Sequence, residues 1–532
     1  MDVVKKDISE RPPSTDVQPT IVSSVVPDFK DVSSEDDISG YVPDTDLEKR
    51  LVRKLDLLMM PTLWLMCVLA YVDRNNIGNA KTAGMQDALD LTSSRYAMLI
   101  TIFFIAYVIL EVPSNLILIR VRPSWYLPGI MIAWGALVAG ISQIKTYQGI
   151  LVIRFFLGLI EAGFMPGVMF LMSCWYKKHE IGMFVRSSKK AFPGANNSLQ
   201  PFCCEIGKRF SIFFTALCIA GAVSGLISGA VIAGLEGSHG MAGWRWLFLL
   251  EGVITIGVAM ICIYILPNYP STSLRFTPEE RRLAEIRVLY DRKLHETHQS
   301  MKMNPWQAFV AATLDLRTWF FVVLYILDNG VATISYFIPT VLDDMGYSGD
   351  RAQWMTIPIW IVATIFLVGV SLSSDRTQDR QWHISFGMGV ATISGIIIVA
   401  VKNSAARYAF ICFYMAGVYC AFPLILIWTS ETLSLPKEKR AVAIAIVNGI
   451  GDLASIYGSR MWPSNDAPDY KPGFIAVIVM CGACGLIAAA MPIVFRYLPQ
   501  INSEVEREAE VIEVARSFRS DFTYTMYTFT ED

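Results

Sequence analysis

The chain has 532 residues, 53% hydrophobic and only 17% charged, with a net charge of −2 at pH 7. Soluble domains carry about 25% charged residues, so an ordinary soluble protein is excluded, and the near-neutral balance excludes a strongly basic nucleic-acid binder. The ten cysteines are scattered, mostly in apolar runs, which is not a disulfide framework.

Residues 1–54 are polar, acidic and rich in Ser, Pro and Asp, and predict a disordered tail. No basic segment followed by an apolar one opens the chain, so the first membrane helix is expected to act as the targeting signal. Twelve apolar segments of about 20 residues follow, the length that crosses a bilayer. They lie near 57–80, 98–119, 126–144, 149–175, 210–234, 246–267, 318–341, 354–374, 383–401, 407–429, 440–460 and 473–497. Lys and Arg collect in the loops after span 2 (Arg120, Arg122), span 4 (Lys177, Lys178, Lys208, Arg209) and span 10 (Lys437, Lys439, Arg440). That bias predicts that these loops and both termini are cytoplasmic.

The spans divide six and six: an N-terminal half over 55–267, a central loop over 268–317, a C-terminal half over 318–498 and a tail over 499–532. In the central loop "TPEERRLAEIRVLYDRKL" begins with Thr277 as N-cap, Pro278 in the first turn and Glu280 closing a capping box. Ile286, Leu289 and Tyr290 recur at helical spacing, so a helix lying on the cytoplasmic surface is expected. His295 and His298 lack further ligands, and Cys481 and Cys484 sit in an apolar span, so no metal site and no cofactor are expected.

Polar groups inside the spans carry the functional signal, because a charge at mid-bilayer costs about 3 kcal/mol even on lenient scales. Span 1 ends in "YVDRNNIGNAKTAG". Either the helix leaves the bilayer at Asp73 and Arg74, or these residues and Asn75 and Asn76 form a polar face on a cavity. Span 2 carries Glu111, Pro113 and Asn115, and the freed backbone carbonyl before Pro113 can be served by its polar neighbours. In span 4, Arg154, Gly158, Glu161 and Met165 share one helical face. Arg154 and Glu161 are two turns apart, about 10 Å, too far to pair with each other. Each is expected to find a partner on another helix or a ligand, while Gly158, Gly163 and Gly167 leave room for close helix packing. Asp328 and Asn329 in span 7, and Asn448 and Asp452 in span 11, are further buried polar candidates; "NGIGD" around Asn448 suggests a broken or tightly packed helix. Trp244, Arg245, Trp246 and Glu251 open span 6, with the arginine and the indoles expected at the outer interface.

Two six-helix halves joined by a cytoplasmic loop resemble the major facilitator architecture, in which related halves enclose a substrate site near the midplane. "SDRTQDR" after span 8 resembles the superfamily's Asp-Arg…Arg signature, which implies a gating salt bridge between Asp375 and Arg376, with Arg380 completing it. The equivalent loop after span 2, "IRVRPSW", keeps the arginines and lacks the acid. "DRNNIGNAK", "EVPSN", "RFFLGLIEAGFMPG", "GWRWLFLLEG" and "NGIGDLASIYGSRMWP" together resemble the anion:cation symporter family, most closely its fungal allantoate-permease branch. The resemblance runs from about Leu55 to Leu498. It implies proton-coupled uptake of a small organic anion or vitamin, such as an allantoate-, nicotinate- or pantothenate-like carboxylate. Proton coupling would fall on Asp73 and Glu161, and substrate binding on Arg74, Asn76, Arg154 and Asn448. An all-α membrane protein, monomeric and placed in the plasma membrane, is expected, with protons, the anion and lipid as its partners. A drug:proton antiporter would instead select cations or neutral compounds, and a non-transporting nutrient sensor would move nothing; uptake of labelled substrate separates the three.

The loop after span 4 holds "EIG" twice, at Glu180–Gly182 and Glu205–Gly207. Removing residues 183–207 leaves "WYKKHEIGKRFSIFF", which resembles the family closely. Gly182-Met183-Phe184 can be encoded with GTATGT, a fungal intron start; Ala195-Asn196 can supply a CTAAC branch point and Ile206-Gly207 a terminal TAG. The segment therefore reads as a retained intron, against the alternative of a genuine basic insert carrying Arg186, Lys189 and Lys190. Sequencing of cDNA is expected to find most messages without codons 183–207; messages that keep them would establish the insert instead.

Overall fold

A backbone in hydrocarbon has no water to bond, so each apolar run must close its own hydrogen bonds as a helix. The computed structural model describes residues 41–43, 45–118, 121–176, 206–273, 275–296, 305–377, 379–433 and 437–497. Among them are twelve helices long and apolar enough to span a membrane, and no strand. Most of the 183–207 segment, His298 and both distal tails lie outside the described residues.

The twelve spans begin with Asp46–Ala80, Ser93–Leu118 and Pro123–Ile141. Span 4 is two helices, Tyr147–Glu161 and Phe164–Trp175, broken directly after Glu161. Ile206–Leu235 and Gly243–Ile265 complete the first half. The second half holds Leu316–Ala332, Asp350–Thr377, Gln381–Ala400, Ser404–Thr432, the broken pair Lys437–Asp452 and Ala454–Gly458, and Lys471–Tyr497. The break in span 11 falls after Asp452, within reach of the glycine-rich stretch that suggested it.

Span 1 starts earlier than the sequence suggests: residues 46–54, expected in the tail, are its first turns. Thr45 caps it by accepting from the Glu48 amide at 3.3 Å, and Leu51, Leu55 and Met59 are buried one turn apart. Burial of that stripe outweighs the polar composition that marked the segment as tail. Glu48 also accepts from Tyr41 at 2.7 Å and faces Arg287 at 3.8 Å.

The expected loop helix forms over Pro278–Glu296 with its capping box intact. The Glu280 amide donates to Thr277 Oγ1 at 3.2 Å, and the Thr277 amide donates to Glu280 Oε2 at 2.9 Å. Its buried face is Ala284, Arg287 and Val288, not Ile286 and Leu289, because the helix docks on the ends of spans 1 and 4, where Arg287 donates to the Trp175 carbonyl at 3.1 Å. A second loop helix, Pro305–Leu314, packs on span 11.

The halves meet through spans 5 and 8, spans 2 and 11, and span 1 with the turn Thr333–Tyr336 that ends span 7. On span 5, Gly221, Gly225 and Gly229 lie at four-residue spacing, where a Cβ would overlap Trp360, Thr356 and Trp354 of span 8. At the face opposite the central loop, hydrogen bonds close the seam. Tyr96 donates to the Tyr336 carbonyl at 2.8 Å, Gln353 to Thr82 at 2.8 Å, Ser228 to Gln353 at 3.0 Å and the Ser464 amide to Ser93 at 2.9 Å. Nearer the loop end, Asn448 Nδ2 donates to Glu111 Oε1 at 3.1 Å.

Glycine 158 lies against the backbone of span 2, where a Cβ would overlap the Phe103 carbonyl oxygen, whereas a Cβ on Gly257 would meet nothing within 4 Å. Gly158→Ala is expected to cost about 1–3 kcal/mol by overpacking. Gly257→Ala should be neutral or gain up to about 1 kcal/mol of helix propensity. Thermal inactivation of the two purified variants checks the contrast; equal midpoints would refute it.

Candidate functional site

Successive helical residues point about 100° apart, so one span can serve two different surfaces. Asp73 and Arg74 do this. Both are buried, at 2% and 7% exposure, and span 1 runs on past them to Ala80, so they are not where the helix leaves the bilayer.

Arg74 turns toward span 4 and makes a short ion pair from its Nε to Glu161 Oε1. Its guanidinium is boxed by the rings of Tyr71, Phe103 and Tyr107 at 4.9, 5.4 and 4.8 Å. Such faces favour a planar cation that stays charged. The break at Ala162–Gly163 leaves Glu161 as the last residue of its helix, and its Oε2 has no hydrogen-bond partner among the described residues. Two turns earlier, Arg154 is 3% exposed, and its Nε and Nη2 donate to no group among the described residues. Arg74 and Arg154 line one small cavity with Phe103, Phe104 and Tyr336, about 10 Å³ and room for roughly one water molecule. Tyr336 belongs to the second half, so this cavity lies on the seam.

Asp73 turns the other way, to spans 3 and 6. Its Oδ2 accepts from Trp134 Nε1 at 3.1 Å and from Thr255 Oγ1 at 3.4 Å, while Oδ1 accepts nothing. The expectation that Asp73 shares the face of Arg74 is therefore corrected by the helical rotation between neighbours. Asn76, expected to touch substrate, is 0% exposed and bound into a side cluster. Its Oδ1 accepts from Asn79 at 3.0 Å and from Ser224. Asn448 is likewise committed, donating to Glu111 and accepting from Tyr325 at 3.2 Å. Asn329 donates to Asp452 at 3.2 Å, and Asp328 is fully buried with neither oxygen bonded.

The cytoplasmic-signature residues pair differently from the expectation. Arg380, not Arg376, binds Asp375, at 2.6 Å, and also reaches Ser374 at 2.9 Å and Glu431 at 3.2 Å. Arg376 is exposed. One residue further on than Asp375, about 100° round the helix, its side chain points outward, whereas Arg380, at the N-cap of span 9, points back at the end of span 8. At span 6, Arg245 holds the Ser142 and Ile144 carbonyls at 2.9 and 3.0 Å as an end anchor, but Trp244 is fully buried and forms no belt.

Several residues escaped the sequence reading. Tyr336 comes from a 3-10 turn with no motif, and Trp134 is one indole among thirteen. Glu431 sits at the end of an unremarkable apolar span. Lys81 is buried where span 1 loosens into a π-helical turn, 4.8 Å from the Tyr96 ring and 5.8 Å from that of Phe337. Its place in "NIGNAK" was visible, its burial was not.

The geometry has counterparts among known proteins. The pattern of the Major Facilitator Superfamily matches residues 63–459. MFS-type transporter cnsO of Penicillium expansum is 32% identical, covering 92% of each chain. A candidate tartrate transporter of Agrobacterium vitis is 26% identical, over 82% of this chain and 91% of its own. Among solved structures, the proton:xylose symporter XylE, bound to 6-bromo-6-deoxy-D-glucose, shares the fold with a TM-score of 0.58 at 17% identity, over 83% of this chain and 96% of its own. A membrane-embedded secondary transporter of a small molecule accounts for the twelve spans, the two halves and a charged cavity on their seam: the chain belongs to the Major Facilitator Superfamily.

Proposed function

We propose that the protein takes up a small organic anion together with protons by alternating access, as a member of the anion:cation symporter family close to its fungal allantoate-permease branch. The observation that carries this reading is the convergence of two buried guanidiniums, Arg74 and Arg154, on one cavity between the halves, with two Arg154 nitrogens uncommitted. A carboxylate matches the planar fork of a guanidinium, and charge-assisted hydrogen bonds to it are strong. The likeness to a candidate tartrate transporter supports an anionic cargo.

In this mechanism Arg154 receives the substrate carboxylate. Arg74 holds Glu161 until a proton neutralises that carboxyl, and the freed Arg74 then adds a second donor to the anion. Asp73 and Glu161 are the proton-coupling acids on this reading. The two halves rock around the loaded cavity, and the Asp375–Arg380–Glu431 cluster holds the loop ends of spans 8, 9 and 10 as one body while they do. The positive-inside bias supports cytoplasmic termini, and a monomer in the plasma membrane fits the reading.

Glu161→Gln should abolish proton-driven accumulation while substrate exchange persists; intact accumulation in that variant would sink the coupling role. Arg154→Gln removes hydrogen bonds worth about 1.5–3 kcal/mol and should raise KM roughly 10- to 150-fold. Uptake of labelled carboxylates in cells, at fixed external pH, reads both effects.

A further inference from the structure

Glu251 lies about two turns into span 6, is 2% exposed, and among the described residues receives no hydrogen bond at either carboxyl oxygen. Its position is fixed by its neighbours. One turn on, Thr255 donates to Asp73, tying span 6 to span 1 at this depth, and Gly252 presses on the backbone of Gly135 and Ala139 in span 3. The charged groups that act on Glu251 are Asp73 and Arg154. Of the other elements packed on span 6, residues 123–141 and 213–235 contain no charged side chain. Lys81, in the turn that also touches span 6, is lodged against the ring of Tyr96.

Counting charge in this pocket leaves one negative group too many. Arg74 is bound to Glu161. Arg154 can balance one more carboxylate, yet both Asp73 and Glu251 are buried within reach of its field. Between them, three carboxyl oxygens accept no hydrogen bond. Two buried carboxyls with two neutral donors between them do not both ionise in a dry site. The donors are unequally shared: Trp134 and Thr255 serve the anionic form of Asp73, and nothing serves that of Glu251.

We propose that Glu251 carries a proton in this conformation and exchanges it with Asp73, making spans 1 and 6 a proton-binding pair distinct from the Arg74–Glu161 pair. Transfer to Asp73 breaks one O–H bond on Glu251 and forms one on Asp73, with no change in net charge. Release to water leaves one further negative charge, and Arg154, with its free Nε and Nη2, is the cation placed to answer it. Proton loading is thereby linked to the arginine assigned to the substrate. That last link rests on the proposed function; the proton on Glu251 does not.

Infrared spectroscopy of the full-length protein in lipid nanodiscs, with no substrate, tests the inference through the C=O stretch of protonated carboxyls as pH is raised. Wild type should show a band that Glu251→Gln lacks. In Asp73→Asn, with the like charge removed, the band should vanish at a lower pH than in wild type; a Glu251 band that titrates as in wild type would overturn the pairing of Glu251 with Asp73. If Glu251→Gln does not fold, Glu251→Asp should displace the band. A spectrum unchanged by substitution at 251 overturns the proposal. A Glu251 band in a protein that shows no proton-driven uptake would keep this inference and defeat the coupling reading; proton-driven uptake without the band would do the reverse.

Discussion

The buried pair between Arg74 and Glu161 is the constraint around which the first half is arranged. Two ions in a low-dielectric interior are tolerated when each satisfies the other, and removing one partner from such a pair costs about 3–5 kcal/mol because an uncompensated charge remains. Spans 1 and 4 must therefore stay in register at this depth. The aromatic box of Tyr71, Phe103 and Tyr107 brings span 2 to the same point, and Gly158 lets that span approach. The break after Glu161 is compatible with this: a helix end gives the carboxyl freedom that a continuous helix would deny.

Much of this arrangement was legible in the sequence, and the part that was not has physical causes. The spacing of Arg154 and Glu161 excluded their mutual pairing and demanded outside partners; Glu161 has one in Arg74, while Nε and Nη2 of Arg154 have none among the described residues. Spacing cannot say which helix supplies a partner, and the resemblance pointed to Arg74 as a substrate residue, not as the partner of Glu161. Adjacent letters misled as well: Asp73 and Arg74 read as one polar patch, but 100° of rotation sends them to opposite faces. Asn76 and Asn448 looked available because an amide in an apolar run stands out, yet Asn448 is held by Glu111 and Tyr325, and the Oδ1 of Asn76 by Asn79 and Ser224, which leaves only its Nδ2 without a partner among the described residues. The start of span 1 was placed too late because hydropathy averages over charged residues that point outward, while Leu51 and Leu55 point in.

The pocket also separates two kinds of buried acid. Glu161 is answered by a cation; Asp73 is answered by neutral donors, the Trp134 indole and the Thr255 hydroxyl. An acid held by a cation changes its partner when it is neutralised and so can release that cation. An acid held by dipoles keeps its geometry in either form. The first is suited to rearrangement, the second to holding charge in place while the rearrangement happens.

The glycine row of span 5 has a consequence for speed. Gly221, Gly225 and Gly229 bring bare backbone against Trp360, Thr356 and Trp354, so along this row span 5 presents no side chain of its own. Interlocked chains must climb over one another to slide, and that climb sets a barrier. Here the hydrogen bonds that cross the seam lie beyond that row: Gln353 with Thr82 and Ser228, Tyr96 with the Tyr336 carbonyl, Ser464 with Ser93, and Asn448 with Glu111. The glycine row acts as a bearing and these bonds as the catch, so sliding of the halves requires them to break while the area of contact governs cohesion.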